Sequence, residues 1–211
     1  MSKKILGIDC AARYSAVGGF IVGAVVINSP SFFRKFARIK FKKNTTKEER
    51  AKIVAACKNF MWYDVLKKPA TIIQSKDTIK VETEGIIEML NRVPKFWENH
   101  DIHIINSVGT KEQFIEEFEN LIPHNLKLIK DKFKYDKWKI VHDAHEKYNI
   151  VGLARIIAKW AQDIESSEIE EVWGKFGSGH DYDLDTKRFI SDNPDCPYIR
   201  PPFIEKKKKP E

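Results

Sequence analysis

The chain has 211 residues, with 37 Lys and Arg against 30 Asp and Glu, a formal charge of +7. An apolar content of 42% excludes wholesale disorder, and the length suits one domain, read as residues 1–204, followed by a basic disordered tail over 205–211. The longest apolar run, Val17 to Ile27, is glycine-broken and far short of the ~20 residues a membrane span needs, so the reading is a soluble cytoplasmic protein with no membrane role.

Lys4 to Asp9 and Val17 to Ile27 read as two apolar, β-branched strands joined by a polar turn. Arg34 to Phe41 alternates basic and apolar residues, as a half-exposed strand would. Thr45 or Thr46 can cap a helix that carries Glu48 and Glu49 in its first turn. A short strand is expected over Ala70 to Gln74. A helix is expected over Glu82 to Val93, ended by Pro94. Ile102 to Asn106 reads as a strand, Thr110 to Leu121 as a helix and Trp138 to His142 as another strand. The clearest pattern is the helix from His145 to Glu165, with Ile150, Leu153, Ala154, Ile157, Trp160, Ala161 and Ile164 in one stripe. A separate acidic helical stretch (Ser167 to Trp173), a glycine-rich loop (Gly174 to Gly179), a helical turn (Asp183 to Ile190) and an extended, proline-rich ending follow. Antiparallel strands first and helical crossovers later indicate a mixed α/β domain.

Three well-separated cysteines (Cys10, Cys57, Cys196) with no CxxC pair argue against a disulfide scaffold and a structural zinc site. Basic residues cluster in three runs: Arg34 to Lys43, Lys127 to Lys139 with interleaved aromatics, and Lys206 to Lys209. Such patches suit a polyanion such as nucleic acid, although a solvated surface would look the same. Asp9 ends an apolar strand, where ligand sites form in α/β sheets, and is a candidate metal-binding carboxylate, or simply a turn former. Asp163 borders the apolar stripe of the long helix, and Lys42 and Lys43 precede a helix N-terminus, which suits a phosphate. Phe176 to His180 lacks the context of a dinucleotide loop or P-loop. The histidine pairs His100/His103 and His142/His145 have no third ligand in register.

Taken in order, these pieces resemble type 2 ribonuclease H (ribonuclease HII) of the archaeal kind. The resemblance rests on Gly7-Ile8-Asp9-Cys10-Ala11-Ala12-Arg13-Tyr14, on Lys40-Phe41-Lys42-Lys43-Asn44-Thr45, and on Ile104-Ile105-Asn106-Ser107. It is most specific in the block from Glu146 to Thr186. It implies an RNase H-like fold: a mixed five-stranded sheet with flanking helices and a C-terminal helical extension. It also implies an RNA/DNA hybrid, or a ribonucleotide embedded in duplex DNA, as substrate. Cleavage would fall on the 5′ side of a ribonucleotide, with Mg²⁺ or Mn²⁺ as cofactor. Two ions about 4 Å apart would stabilise the attacking water and the leaving oxygen, held by four acids.

By this resemblance Asp9 and Asp163 are the first and fourth acids, catalytic and metal-binding. The second and third positions carry Cys10 and Asn106 instead. Arg13 and Tyr14 stand in the turn that contacts the ribose, where two family glycines have become Ala12 and Tyr14. Lys42, Lys43, Lys147 and Lys159 are the basic contacts to nucleic acid. His180 stands where a stacking tyrosine is expected, and Lys40 and Arg155 add positive charge near the site. Losing two of four charged ligands implies a nucleic-acid-binding protein with impaired or lost cleavage. An active nuclease with an altered site and a protein-interaction subunit with no nucleic-acid role remain open alternatives.

Overall fold

The structure, a computed structural model, describes residues 4–27, 45–58, 61–74, 77–93, 102–121 and 138–204. Five strands form one sheet: β1 (Ile5–Ala11), β2 (Phe20–Ile27), β3 (Trp62–Lys68), β4 (Ile102–Asn106) and β5 (Trp138–Val141), in the order β3-β2-β1-β4-β5. β1, β2 and β3 pair antiparallel, whereas β4 runs parallel to β1 and β5 parallel to β4. This is the mixed sheet with flanking helices that the resemblance implied.

The sheet is buried on both faces, so β2 reads as a continuous apolar run rather than an alternation. On one face Leu6, Ile8, Phe20 and Val22 pack against α2 (Thr78–Arg92) and α3 (Lys111–Leu121) through Ile86, Met89, Leu90, Phe114 and Phe118. On the other face Val25, Ile27 and Ile104 meet α5 (Asn149–Trp173), which follows a single helical turn, α4 (Ala144–Lys147). α1 (Lys47–Cys57) lies against α5 and adds Val54 and Cys57 to that second core. A smaller third core joins Val17 to Ile169, Phe176, Cys196, Ile199 and Phe189 of α6 (Leu184–Asp192), which ties the C-terminal segment to the start of β2.

Local chemistry accounts for the helix ends. Thr46 forms a reciprocal capping box with Glu49: its side chain accepts from Glu49 N at 3.2 Å, and its own N–H donates to the Glu49 carboxylate at 2.8 Å. Asp77 caps α2 by accepting from Ile79 N and Lys80 N. α2 stops at Arg92 because Val93, which precedes Pro94, is held extended.

Three readings need correction. The strand expected over Ala70 to Gln74 is a 3₁₀ turn, Ala70–Ile72, and the actual third strand is Trp62–Lys68. Pro69 precedes the turn and has no N–H to give a ladder. The acidic stretch Ser167 to Trp173 is not separate but the continuation of α5, whose 25 residues include Ser167 bonding back to the Asp163 carbonyl at 2.9 Å. The extended ending forms a 3₁₀ turn at Pro201–Phe203 and a single bridge from Ile199 to Val17. The strand expected over Arg34 to Phe41 lies outside the described residues, as do the basic tail and most of the three lysine-rich runs. All three cysteines are buried free thiols. Among the described residues no helix is long and apolar enough to cross a membrane.

α5 crosses β1 and β2 at two glycines. A Cβ on Gly23 would fall 2.4 Å from the Ala154 carbonyl oxygen, and one on Gly7 would fall 2.8–2.9 Å from Ile150. The helix backbone itself forms this contact, so no side-chain rotation can relieve it. Gly23→Ala is therefore expected to destabilise the protein by at least about 1–3 kcal/mol, the usual cost of overpacking. A lowered denaturant midpoint would show it, and an unchanged midpoint would contradict the close approach.

Candidate nucleic-acid site at the strand ends

The parallel pairing of β1 with β4 matches Ile8 with Ile105, so Asp9 and Asn106 emerge side by side at the carboxyl ends of the two central strands. Strand alternation sends Asp9 and Cys10 to opposite faces. Asp9 is fully buried on the α5 face, and Cys10 is buried on the α2 face, near Glu82. Burial pushes the Cys10 thiol pKa well up; Arg13 opposes that rise, while Glu82 and Asp9 add to it. Burial thus disfavours the thiolate form of Cys10.

Three donors converge on one oxygen of Asp9. Its Oδ1 accepts from Cys10 N at 2.7 Å, from Arg13 Nη2 at 2.7 Å and from Asn106 Nδ2 at 2.9 Å. The Asn106 side-chain Oδ1 itself accepts from Ala144 N at 2.9 Å, which fixes the amide with its NH₂ toward Asp9. Asp9 Oδ2 is buried without a hydrogen-bond partner, and His145 Nδ1 lies 3.7 Å from it. Arg155 lies within 3.0 Å of both His145 ring nitrogens. Burial first, and then the Arg155 charge, lower the His145 pKa below its ordinary 6.5.

Arg13, expected to contact nucleic acid, instead turns inward. Its side chain is 10% exposed. Nε donates to Glu82 at 2.8 Å, Nη1 to the Cys10 carbonyl at 2.9 Å, and Nη2 to Asp9 at 2.7 Å and to the Asn106 carbonyl at 3.2 Å. Glu82 is fully buried, and its other oxygen accepts from Ser107 Oγ and Val108 N. Asp163 lies on the outer side of α5, where both its oxygens are held by Arg50 in a bidentate pair at 2.7 and 2.8 Å. Arg50 also bonds the Thr45 carbonyl, and Lys47 bonds Ser167.

This set of groups does not fit a pair of hard divalent ions. Such ions need several anionic oxygens. Here one Asp9 oxygen is saturated, Asn106 presents an NH₂, Asp163 is engaged elsewhere and a guanidinium lies against the buried carboxylates. Among the described residues no three His, Cys, Asp or Glu side chains are arranged to hold a metal ion.

Of the other expected contacts, Tyr14 and His180 adjoin each other. Tyr14 is 57% exposed, and its carbonyl lies 3.1 Å from His180 Nδ1. The His180 ring stacks on Tyr182 with centroids 5.1 Å apart and planes within 6°. Lys159 is half-buried one turn after Arg155 and one turn before Asp163; burial, Arg155 and Arg50 lower its pKa. Lys147 is exposed on α4, and Lys42 and Lys43 lie outside the described residues. The sequence reading missed Glu82, His145 and Arg50. The spacing of His142 and His145 points in sequence only to a metal motif, and Glu82 lies in an amphipathic helix whose pattern gives no sign that an acid is buried.

The turn that carries Arg13 is strained and pinned. Ala12 has φ +58°, a left-handed conformation that costs a residue with a Cβ roughly 1–2 kcal/mol. Arg200, 3% exposed, donates to the carbonyls of Ala12 (2.6 Å), Gly18 (3.0 Å) and Gly19 (3.0 Å). Gly179 docks against the same turn, accepting from Ala16 N at 2.7 Å and from Ser15 Oγ at 3.1 Å.

Two outcomes follow from this geometry. Ala12→Gly should stabilise the fold by about 0.5–1 kcal/mol, the relieved strain less the added unfolded-state entropy, read as a rise in urea midpoint. The second concerns His145, whose pKa burial and Arg155 lower in the folded state, while the unfolded chain binds a proton near pH 6.5. Stability should therefore be lost as pH falls from about 6.5 through the lower folded-state pKa, and His145→Gln should flatten that slope. Urea midpoints at about pH 7.5 and about pH 5.5 for both proteins measure it.

A sequence model of the family described as ribonuclease HII matches residues 6–206. A curated ribonuclease HII from Methanococcus maripaludis strain C7 is 29% identical over 196 residues, covering 89% of this chain and 77% of that protein. The crystal structure of ribonuclease H2 from Pyrococcus horikoshii superposes with a TM-score of 0.74 at 25% identity, covering 93% of this chain and 92% of that one. Ribonuclease HII from Archaeoglobus fulgidus, solved in a complex with PCNA, shares the fold with a TM-score of 0.72 at 22% identity and 97% coverage of both chains. The family match spans the strand ends, the Arg13 turn and the C-terminal segment that pins it, and the chain belongs to the ribonuclease HII family.

Proposed function

We propose that this protein binds RNA/DNA hybrid, or duplex DNA carrying ribonucleotides, on the ribonuclease HII scaffold, and that its phosphodiester cleavage is impaired or lost. One observation carries the second half: Asp9 Oδ1 is saturated by Arg13, Asn106 and a backbone N–H, so a group expected to ligate Mg²⁺ or Mn²⁺ is tied into the protein. The first half is supported by basic and aromatic side chains. Arg155 and Lys159, one turn apart on α5, and Lys47 on the adjoining α1 offer cationic groups to phosphates, whereas Arg50 is neutralised by Asp163. Exposed Tyr14 and the stacked His180–Tyr182 pair offer aromatic faces for bases or sugars. Were cleavage retained, Asp9 and Asp163 would be its candidate catalytic and metal-binding acids; Lys42, Lys43 and Lys147 are further phosphate contacts of the binding reading.

A second reading, an active metal-dependent endoribonuclease with an altered site, is favoured by the free Oδ2 of Asp9, a buried carboxylate oxygen with no hydrogen-bond partner. Labelled RNA/DNA hybrid and duplex DNA with one embedded ribonucleotide distinguish the readings. The expected result is binding with Kd of roughly micromolar order that weakens at least about tenfold between low and physiological salt. Binding should be unchanged by EDTA, and no product should form in Mg²⁺ or Mn²⁺. A cut at the ribonucleotide that Asp9→Asn abolishes would establish the second reading. Absence of binding at any salt would point to a protein-interaction role.

A further inference from the structure

The residue that should meet nucleic acid is buried between two acids that belong to different layers of the fold. Asp9 faces α5, Glu82 comes from α2, and the Arg13 guanidinium bridges them across the end of β1, 2.7 Å from one and 2.8 Å from the other. Both carboxylates have side chains with no solvent exposure. Buried carboxylates need a counter-charge, because leaving water costs an ion far more than an uncompensated site returns. A second sign that the pocket is built for a cation is independent of the acids themselves. Asp9 Oδ2 is buried without a hydrogen-bond partner, and the His145 ring nitrogen stands 3.7 Å from it.

Arg13 also cannot leave readily. The adjoining carbonyls of Ala12, Gly18 and Gly19 are held by Arg200, and Ala16 and Ser15 are held by Gly179. Four donations from the guanidinium end on four separate acceptors, two of them backbone carbonyls at the ends of β1 and β4. That geometry matches a planar fork and not a point charge.

We infer that Arg13 is a built-in cation: its guanidinium supplies the charge balance of the Asp9–Glu82 pocket, so that folding is independent of divalent ions and the pocket takes up Mn²⁺ only when that side chain is removed. This rests on the metal-poor reading of the site but not on nucleic-acid binding. Failure of the protein to bind a hybrid would leave it untouched.

Thermal unfolding and Mn²⁺ electron paramagnetic resonance test it directly. For the wild-type protein, Tm should agree within about 1 °C in EDTA, millimolar Mg²⁺ and millimolar Mn²⁺, since a ligand that does not bind the folded state cannot stabilise it. Its resonance spectrum should show only free Mn²⁺. Arg13→Ala should lower Tm in EDTA by roughly 10 °C, as expected when one partner of a buried ion pair is deleted in a domain of this size. Millimolar Mn²⁺ should then restore a large part of that loss, with one bound ion appearing in the spectrum. Arg13→Lys keeps the charge but not the fork; it should lose less stability and bind no Mn²⁺. Should Arg13→Ala fail to fold, the wild-type arm and Arg13→Lys still decide. A wild-type Tm that rises by several degrees in Mn²⁺, bound Mn²⁺ in the wild-type spectrum, or an Arg13→Lys protein as stable as the wild type would each overturn the inference.

Discussion

Burial of a carboxylate at the end of the central strand sets the terms for everything around it. Asp9 has no solvent exposure and sits where β1 meets β4, below α5. In a low-dielectric pocket an isolated carboxylate either takes up a proton or finds donors. This chain supplies the donors from its own neighbourhood: the next backbone N–H, an amide on the adjoining strand, and an arginine four residues on. Each comes from an element whose place is fixed by the hydrophobic layers, so the polar cluster depends on the fold and in turn orders its edge. The β1–β2 connection is consequently not a free loop. It is a short segment whose side chain reaches inward to close the sheet end.

That segment is gripped from its other side by residues nearly the whole chain away. Arg200 is buried almost completely and donates to carbonyls on both limbs of the turn; burial pushes its pKa down to about 10, while the Glu165 charge opposes the fall. Glu165, buried on α5, accepts from Gly19 N at 3.0 Å and pairs with Lys67 of β3 at 3.0 Å. Two arginines therefore hold one turn, Arg13 by its side chain against acids and Arg200 by carbonyl capture from the C-terminal segment. The strain at Ala12 is tolerable in this setting because the backbone conformation is fixed from both directions. It also gives the C-terminal segment a role in the pocket, although its own small core lies around Phe176 and Phe189.

How much of this the sequence disclosed depends on which interactions are periodic. The apolar stripes of α2, α3 and α5 and the run of β2 follow the periods of helix and buried strand, and those elements were legible. β3 was not. Trp62-Tyr-Asp-Val-Leu-Lys-Lys is an edge strand, half-exposed along most of its length, and its polar residues blur the alternation. The β-branched stretch Ala70-Thr-Ile-Ile looked more like a strand and is a turn. The helix expected to end at Glu165 continues to Trp173, because Glu165 and Ile169 are buried on either side of the expected end and packing carries the helix through. At the site, Asp9 and Asn106 could be read as strand ends. The inward course of Arg13, the burial of Glu82 and the approach of His145 could not, because they join positions 69 to 136 residues apart through tertiary packing alone. The family resemblance led to expecting Arg13 at the nucleic acid, and the structure shows why it is engaged elsewhere.

The substitutions at this pocket make sense only as a set. Asn106 uses its side-chain Oδ1 to hold Ala144 N and its NH₂ to hold Asp9. A carboxylate in its place could still accept from Ala144, but its second oxygen would face Asp9 across the same short gap of 2.9 Å, where two carboxylates cannot both stay ionised without a cation between them. In the same way an acid at position 10 would stand beside Glu82, which already shares its charge with Arg13. With the guanidinium in place, the cation that such acids would require has no room to sit against them. The amide, the thiol and the inward arginine are thus mutually dependent: each removes or balances a negative charge that the others could not accommodate. The pocket that results is closed by hydrogen bonds and ion pairs of the chain itself, so the proposed contact with a polyanion falls to the exposed cationic and aromatic side chains outside it.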